Sequence, residues 1–273
     1  MDEQRLRLGS IGAGNMARAL LGGVTAAGLA APEDCRACDV KEAARQSFQA
    51  ATRICAVADA AEVMRACDVI VLAVKPQQLP EALDALRPLA QSRHLFVSIA
   101  AGARTAAIEQ CLGLRARVVR VMPNTPALIG AGAAAVAPGA WASPDDVALT
   151  LRLMRAVGLA VEVAETDMDA VTALSGSGPA YFFLFVEHLT AAGIAQGLAP
   201  QTAATLAKQT ALGAARMMLE RPETPEQLRI AVTSPGGTTE AALKSLEAGG
   251  FGDLIRRAIQ AATERGRELG RTS

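Results

Sequence analysis

The sequence predicts an α/β protein in which a doubly wound, mostly parallel sheet is followed by an all-helical C-terminal part. Apolar strand-like segments alternate with helical segments up to about residue 165. A glycine-rich turn joins the first of these strands to the first helix, and strand-like segments no longer occur after residue 165. We therefore expect two domains, one with the sheet over residues 1–165 and one with helices over residues 166–273.

Length, charge and hydropathy limit the class of protein. The chain has 273 residues, of which 51% are hydrophobic, and can therefore bury a substantial core. Its 27 basic and 27 acidic side chains cancel, which gives no electrostatic reason to expect a nucleic acid or an anionic membrane as partner. The apolar stretch 127–142 is interrupted by glycine and proline, so no membrane span is predicted. With no room for a signal segment before the first strand, we expect a cytoplasmic protein that acts on a small molecule.

The first strand and the turn after it carry the first functional pattern. The strand is predicted from Arg5 to Ile11, and residues 12–17 read Gly-Ala-Gly-Asn-Met-Ala before a helical pattern that ends near Gly28. The glycines allow a tight turn and a close approach of the backbone to a pyrophosphate, which the N–H groups of the helix start would bind. This strand, turn and helix form the context that a dinucleotide-binding fingerprint requires. The sheet domain is therefore predicted to be of the Rossmann type.

Later strands place further loops at the same edge of the sheet. These strands are predicted at residues 36–38, 69–74, 95–99 and 118–122, with helices between them at positions such as 41–50 and 79–89. Ligands of open α/β sheets bind beyond the carboxyl ends of the strands. The loops at residues 74–76, 100–102 and 122–126 would therefore line one cleft.

The C-terminal part is predicted to consist of helices alone. They are expected at residues 169–175, 181–196, 200–219, 225–232, 239–248 and 250–269. Gly178-Pro179 interrupts the first long helical stretch, and the helix restarts there in its first turn. The alanine-rich faces of these helices favour close packing, and we expect dimerisation through this half of the chain.

A loop rich in hydrogen-bond donors precedes one of these helices. Residues 234–239 read Ser-Pro-Gly-Gly-Thr-Thr, so two glycines and three hydroxyls meet the start of a helix with its unpaired N–H groups. This composition predicts a site for a carboxylate-sized anion. The alternative is an ordinary helix cap, for which a single threonine would suffice.

The dinucleotide-binding turn at residues 12–17 and the anion site at residues 234–239 together predict hydride transfer to a small acid. Reduction of a ketone needs a proton donor, whereas an imine can arrive already protonated. Neither His94 nor His188 lies in a candidate loop, and both are interpreted as structural. No lysine lies in the helix that follows residues 176–179, where β-hydroxyacid dehydrogenases of similar layout carry their catalytic lysine. Imine reduction is therefore favoured.

The cysteines do not indicate a further site. They number five, all in the first half of the chain, and an odd number makes a disulfide framework improbable. Cys35 and Cys38 have the spacing of a metal or redox pair, but no second pair or nearby histidine completes a site. We interpret them as buried strand residues and predict no metal.

Five motifs together resemble those of pyrroline-5-carboxylate reductases. They occur in that family's order, and the resemblance extends from about residue 6 to residue 268; the motifs lie at residues 12–16, 73–76, 122–126, 175–181 and 233–241. The last of them is the most specific. The resemblance implies that NADPH or NADH gives a hydride to the C=N carbon of 1-pyrroline-5-carboxylate, which yields L-proline in the final step of proline biosynthesis.

The resemblance also implies roles for individual residues. The substrate carboxylate would be held by four residues of the donor-rich loop, namely Ser234, Gly237, Thr238 and Thr239. The hydroxyl of Thr239 would also lie near the reacting nitrogen and would be the catalytic group. Glu165 would lie beside the substrate pocket by analogy. The cofactor would be bound by Ile11, Gly12, Ala13, Gly14, Asn15, Met16, Asp39, Ala73, Val74, Lys75, Pro76, Ala100, Ala101 and Gly102. For Lys75, a solvated charge at a strand end is an equal alternative.

The choice between NADPH and NADH stays open. Asp39 follows the second strand, where an acidic side chain typically binds the adenosine ribose and repels a 2′-phosphate. Arg36, Lys41 and Arg45 are near enough in sequence to offset that charge. Two contacts seen in some members of the family cannot be carried over, because this chain has Ala60 and Ala231 where those relatives have asparagine.

Two other functions and the size of the assembly also stay open. The chain could reduce another cyclic imino acid, such as the six-membered homologue, because one methylene changes specificity by only about 1 to 3 kcal/mol. It could also be a dinucleotide-binding protein without catalysis. The resemblance implies homodimers with interleaved C-terminal helices, often assembled into larger rings such as a decamer.

Overall fold

The computed structural model describes residues 6–113 and 115–270. Arg5, which begins the first predicted strand, and the outer ends of both predicted domains lie outside the described residues. The strands are β1 (Leu8–Ile11), β2 (Cys35–Cys38), β3 (Cys55–Val57), β4 (Val69–Leu72), β5 (Leu95–Ser98), β6 (Arg117–Met122), β7 (Gly132–Pro138) and β8 (Gly158–Glu162).

Twelve α-helices occur in the described part of the chain. Those that accompany the sheet are α1 (Asn15–Ala26), α2 (Glu42–Thr52), α3 (Ala60–Ala66), α4 (Leu79–Leu86), α5 (Thr105–Leu112) and α6 (Pro144–Arg155). Those that follow it are α7 (Met168–Val171), α8 (Gly178–Ala195), α9 (Pro200–Glu220), α10 (Pro225–Ala231), α11 (Thr238–Ala248) and α12 (Phe251–Leu269). The chain forms two compact units: the sheet unit contains the described residues up to Ser177 and from Ala261 onward, and the helical unit is Gly178–Gln260.

The sheet has the order β3-β2-β1-β4-β5-β6-β7-β8. Neighbouring strands are parallel except for β6 and β7, which run antiparallel. Because β1 lies between β2 and β4, the chain reverses its direction of strand addition at β1. That reversal point is where open α/β sheets bind their ligands. The doubly wound fold class is confirmed.

Both faces of the sheet are covered by apolar side chains. In β4, Val69 and Val71 join a core cluster that contains Leu20 and Leu21 of α1. The alternate residues of the same strand, Ile70 and Leu72, belong to a second cluster with residues of α4. This period of two with apolar residues on both sides is what a parallel sheet between helical layers requires. The loops at the strand ends are therefore attached to a rigid scaffold.

Three strands were not predicted. β3 has only three residues, and its side chains are at least partly exposed. β7 reads Gly-Ala-Ala-Ala-Val-Ala-Pro, so its composition carries little β-propensity. β8 pairs with β7 at the edge of the sheet. Backbone pairing with neighbouring strands forms these elements, and short-range sequence patterns do not record it.

The C-terminal helices agree with the prediction. No strand follows Glu162 in the described residues, and α8 begins at Gly178, as the Gly178-Pro179 pair indicates. Before it, Thr172–Gly176 form a π-helical turn, a rare conformation found frequently at functional sites. Among the helices of residues 6–270, none is both long and apolar enough to cross a bilayer.

Candidate active site

The turn between β1 and α1 has the geometry of a phosphate-binding loop. Gly12 has a φ of +102°, and its N–H donates to the carbonyl of Cys38 over 2.7 Å. A Cβ on Gly12 would lie 2.7 Å from the carbonyl oxygen of Ala73, so only glycine fits. Helix α1 starts after Gly14 without any side chain that caps it, and Gly14 and Asn15 are exposed. Its first N–H groups are therefore available to an anion.

The loop after β4 lies directly against this turn. The N–H of Ala73 donates to the carbonyl of Ile11 over 2.8 Å, and both residues continue the pairing of β1 with β4. Val74 and Pro76 are half-buried, whereas Lys75 is exposed. The two loops thus meet at the reversal point of the sheet. The role of Lys75 stays a prediction.

Asp39 is fixed at the end of β2 by two backbone donors. One of its carboxylate oxygens accepts from the N–H of Ala13 at 3.0 Å, and the other accepts from the N–H of Lys41 at 2.9 Å. The guanidinium of Arg45 donates to the carbonyl oxygens of Asp39 and Val40. The carboxylate is therefore held beside the glycine-rich turn, and its role in binding the ribose stays a prediction.

The loop after β5 is anchored by a carboxylate from a distant part of the sequence. Residues 100–102 lead into α5, and Gly102 has a φ of +80°. One oxygen of Glu165 accepts from the N–H of Thr105 and the other from its hydroxyl, both at 2.7 Å. Glu165 thus supplies the acceptor that the first turn of α5 needs, since no side chain caps this helix at Arg104.

A buried arginine accompanies this carboxylate. Arg120 in β6 is 4% exposed. Its guanidinium lies 3.5 Å from a carboxylate oxygen of Glu165 and 3.9 Å from one of Asp169. A buried guanidinium requires such counter-charges because its desolvation is costly. Neither Thr105 nor Arg120 was singled out from the sequence.

The loop after β6 and the π-helical turn are joined by Asn124. Its side-chain N–H donates to the carbonyl of Ser175 at 3.1 Å, and its side-chain oxygen accepts from the N–H of Ala133 at 2.8 Å. A Cβ on Gly176 would lie 2.4 Å from the end of the Met122 side chain. Two of the predicted motifs are thus brought into contact within the sheet unit.

In the helical unit, the loop at residues 234–239 forms a turn that opens α11. The N–H of Gly237 donates to the carbonyl of Ser234 at 3.0 Å, and Gly236 has a φ of +71°. This is the pattern of a turn with proline second and a left-handed glycine third. No side chain caps α11 at Gly237. The carboxylate of Glu240 accepts from the N–H of Gly236, and this hydrogen bond, with Lys244, lowers the pKa of Glu240.

The hydroxyls of this loop face in accessible directions. Ser234 and Thr238 are exposed and Thr239 is half-buried. None of their hydroxyls makes a hydrogen bond with another described residue, whereas the hydroxyl of the neighbouring Thr233 donates to the carbonyl of Arg229. The first N–H groups of α11 and these hydroxyls are therefore available together for a small anion.

His94 and the buried cysteines have structural surroundings, whereas His188 is exposed on α8 and its interpretation as structural stays a prediction. His94 is buried; its Nδ1 accepts from the N–H of Gln91 and its Nε2 donates to the carbonyl of Met64. Cys35 and Cys38 are buried in β2, and burial raises the pKa of Cys35 to about 12 and that of Cys38 to about 11. Within residues 6–113 and 115–270, no group of His, Cys, Asp and Glu side chains is arranged to hold a metal ion.

A charged cavity lies at the opposite edge of the sheet. Its volume is about 290 Å³, and it is lined by arginine and aspartate side chains that include Arg7, Asp68 and Arg117. Arg7 and Asp68, which precede β1 and β4, are joined by two hydrogen bonds of 2.7 and 2.8 Å. This edge carries the amino ends of the parallel strands. It is therefore separate from the loops described above.

Comparison with known proteins identifies the family. Residues 7–102 match the model of a family described as NADP oxidoreductase coenzyme F420-dependent, and residues 165–269 match that of pyrroline-5-carboxylate reductase dimerisation. The pyrroline-5-carboxylate reductase of Pseudomonas aeruginosa is 46% identical over 96% of each chain. That of Methanosarcina acetivorans is 43% identical over 99% of this chain and 100% of its own. The chain belongs to the pyrroline-5-carboxylate reductase family.

Solved structures agree. A pyrroline-5-carboxylate reductase from Coxiella burnetii has a TM-score of 0.92 and 40% identity, with coverage of 97% of this chain and 99% of its own. The Plasmodium falciparum enzyme, solved with NADP bound, has a TM-score of 0.87 and 32% identity, with coverage of 97% and 98%. The resemblance seen in the sequence is thus confirmed. This reductase-family chain is an NAD(P)H-dependent oxidoreductase with a dimerisation domain, and the individual site residues stay predictions.

Proposed function

We propose that this protein reduces 1-pyrroline-5-carboxylate to L-proline with NADPH or NADH, the final step of proline biosynthesis. The observation that carries the proposal is the turn at residues 234–239, where uncapped helix N–H groups and unpaired hydroxyls stand together at the start of α11. A carboxylate is the anion that such a set of donors suits in size and charge. Membership of the reductase family supports the same substrate.

The residues of this turn are assigned to the substrate. We propose that Ser234, Gly237, Thr238 and Thr239 bind its carboxylate through N–H and hydroxyl donors, and that the Thr239 hydroxyl also meets the ring nitrogen. Gly237 fits this role because a Cβ there would lie 2.8 Å from the hydroxyl of Ser234 and displace it. The loop would hold the ring by its acid group and leave the C=N carbon free to react.

The cofactor is assigned to the loops of the sheet unit. We propose that Ile11 to Met16 bind the pyrophosphate, that Asp39 binds the adenosine ribose, and that residues 73–76 and 100–102 line the remainder of the dinucleotide. The uncapped start of α1 and the left-handed Gly12 support the first assignment. The cofactor supplies a hydride from its nicotinamide ring.

The chemistry then needs little from the protein beyond orientation. When the imine nitrogen is already protonated, addition of a hydride to the carbon converts the C=N⁺ bond into a C–N bond and leaves a neutral amine. No base has to remove a proton in this step. Holding the two reactants in the productive geometry can provide several kcal/mol of the rate enhancement, on the order of 7 to 11 in well-oriented systems.

We further propose the organisation of the assembly. Residues 1–165 would bind the dinucleotide, and residues 166–273 would bind the substrate and form a homodimer, with dimers assembled into a ring such as a decamer. The match of residues 165–269 to a dimerisation family supports the dimer. A cytoplasmic location is proposed as well, supported by the five free cysteines, because reducing compartments keep thiols unpaired.

The direct test is cofactor oxidation at 340 nm with 1-pyrroline-5-carboxylate. The six-membered homologue, assayed in parallel with both coenzymes, measures the tolerance for ring size. We expect turnover of the five-membered ring with a higher kcat/KM. A strong preference for the larger ring would replace the proposed substrate with that homologue, and no turnover of either would leave a dinucleotide-binding protein without this activity.

Thr239 provides a sharper test of the site. Thr239→Val should lower kcat/KM about 100-fold or more, since loss of one hydrogen bond to the reacting group typically has that effect. Thr239→Ser keeps the hydroxyl and should retain most activity. Thr233→Val is the matched control, because that hydroxyl is already bonded to Arg229. In a proline auxotroph, Thr239→Val should not restore growth whereas the unaltered chain should; a fully active Thr239→Val variant contradicts the assignment.

A further inference from the structure

We propose that Glu165 is a positioning residue for the cofactor: held by Arg120, it fixes the start of α5 through Thr105 and thereby the loop at residues 100–102. This inference rests on the proposed function, because that loop is the one assigned to the dinucleotide. It assigns Glu165 to the anchoring of α5. It also assigns roles to Thr105 and Arg120, two residues that lie outside the five motifs.

The first step of the argument is the way in which Glu165 is used. Both of its carboxylate oxygens are engaged by one residue, since Thr105 offers its N–H to one and its hydroxyl to the other at 2.7 Å. Thr105 is 3% exposed, so the donor side of these partly buried bonds is shielded from water. Charge-assisted hydrogen bonds of this length are the strong class. The start of α5 is therefore tied firmly to a segment 60 positions away in sequence.

The second step is the buried cation behind the carboxylate. The side chain of Arg120 is 5% exposed, against 29% for that of Glu165. Arg120 belongs to β6 in the rigid sheet, so its charge has a fixed position. It attracts Glu165 on one side and Asp169 on the other. The anchor of Thr105 is thus itself fixed to the sheet.

The third step is the contact between the loop and the end of α12. A Cβ on Gly102 would lie 3.3 Å from the Cβ of Leu269. The backbone of Gly266 approaches Asp169 in the same region of the sheet unit. With the end of α12 on one side and the Thr105 anchor after it, the loop has little freedom to move. Release of the anchor should therefore change how the loop receives the cofactor.

The consequence is a specific kinetic signature. If Glu165 acts through Thr105, its loss should weaken cofactor binding and lower kcat while the KM for the imino acid changes little. If it contacts the substrate instead, the KM for the imino acid should rise and cofactor binding should be unaffected. The two roles are separated by measurements on the same variants.

The experiment uses the full-length protein and NADPH fluorescence to measure the dissociation constant without substrate. Thr105→Val removes only the hydroxyl and should raise that constant roughly fivefold, while Thr105→Ser keeps it and should stay within about twofold. Glu165→Ala should raise it roughly tenfold or more. Glu162→Gln, an exposed carboxylate in β8, is the matched control and should match the unaltered chain. Melting temperatures show whether each variant is folded.

The Thr105 pair keeps the test decisive if Glu165→Ala fails to fold. Equal NADPH affinity of Thr105→Val and the unaltered chain would overturn the inference, as would a rise confined to the KM for 1-pyrroline-5-carboxylate. Failure of the proposed function looks different: the imino acid would not be reduced by any variant, yet NADPH titration would still report on the loop.

Discussion

The sheet unit and the helical unit differ in what they do with their apolar side chains. The sheet unit buries them, so that residues such as Phe48, Phe96 and Ile70 are at most 1% exposed. The helical unit displays them: Phe182 and Phe183 in α8 are 66% and 69% exposed, and the only residues of its long helices α8 and α9 that are buried are Gly178, Ala203 and Ala207. The first unit has a complete core within one chain, and the second does not.

This difference indicates that the helical unit completes its core in an oligomer, as the homodimer proposed above would provide. Helix α8 is apolar around most of its circumference, and a helix of that kind is stable only when it is buried on all sides. Many exposed large apolar side chains on one helix, such as Phe182 and Phe183, are typical of an interface. The match of this region to a dimerisation family fits that explanation. The sheet unit, in contrast, should keep its fold when the interface is lost.

The largest effect is expected from a charge placed in that interface. Phe183→Glu should dissociate the dimer, because a carboxylate buried between subunits costs several kcal/mol. We expect a monomer in multi-angle light scattering and a loss of kcat/KM of about 100-fold or more. Glu162→Gln is the control, since Glu162 is exposed and lies in β8 of the sheet unit, outside the helices that carry the interface. A dimeric and fully active Phe183→Glu protein would contradict the comparison.

Two glycines of the sheet unit provide the next test, because they separate folding from binding. Gly12→Ala places a Cβ 2.7 Å from the carbonyl of Ala73 at a φ of +102°, so we expect a loss of about 2 to 3 kcal/mol of stability. Gly14→Ala meets nothing within 4 Å in the protein. It should leave the melting temperature unchanged and still weaken NADPH binding about tenfold, since its Cβ would enter the proposed pyrophosphate site.

Measurement of both properties for both variants tests the cofactor assignment. Calorimetry gives the melting temperature and fluorescence titration gives the affinity. If Gly14→Ala bound NADPH as tightly as the unaltered chain, the pyrophosphate would have to lie elsewhere. If Gly12→Ala melted normally, the close contact with Ala73 would not constrain the turn.

The sequence predicted the sheet where its own pattern is strong and failed where tertiary pairing decides. β4, with Val-Ile-Val-Leu, is evident from composition alone. The alanine-rich β7 is a strand because its backbone pairs with β6 and β8 on its two sides. Short-range propensity carries no information on such partners. The glycine-rich turn was predictable because its glycine spacing is a pattern of residues adjacent in sequence, although its contacts with Cys38 and Ala73 were not.

The same distinction applies to the candidate site. The turn at residues 234–239 is a local feature and could be recognised from its amino-acid sequence. The two hydrogen bonds between Thr105 and Glu165 join residues that are 60 positions apart. The sequence around Thr105 does not indicate that Glu165 is its partner, and the reverse is also true. The analogy that placed Glu165 near the substrate gave no partner for it. Only the fold brings Arg120 between Glu165 and Asp169.

A smaller effect is expected at Asp39, which sharpens the picture of the sheet unit. Asp39→Ala removes the negative charge beside the proposed ribose site and should shift the ratio of kcat/KM for NADPH over NADH upward by about tenfold. Asp39→Asn is the matched variant, because its amide oxygen can still accept from the N–H of Ala13. If the coenzyme ratio shifts in both variants, the charge of Asp39 causes the preference. If it shifts in the alanine variant alone, the cause is the lost hydrogen bond to the turn. If the ratio is unchanged in both, Asp39 does not bind the ribose.

The smallest effect concerns the pH dependence of the sheet unit. Burial lowers the pKa of His94, with the nearby Arg93 acting in the same direction. A histidine in the unfolded chain has a pKa of about 6.5, so the unfolded state binds the proton more readily than the folded state. The contribution of neutral His94 to the free energy of unfolding is therefore complete above that pH and declines as the pH falls below it. The urea midpoint should fall more between pH 7.5 and 5.5 for the unaltered chain than for His94→Asn. The hydrogen bonds of His94 to Gln91 and Met64 lie entirely within the sheet unit. The difference in pH dependence between the unaltered chain and His94→Asn should therefore persist when both also carry Phe183→Glu and are monomeric. Loss of that difference in the monomers would mean that the stability of the sheet unit depends on the interface.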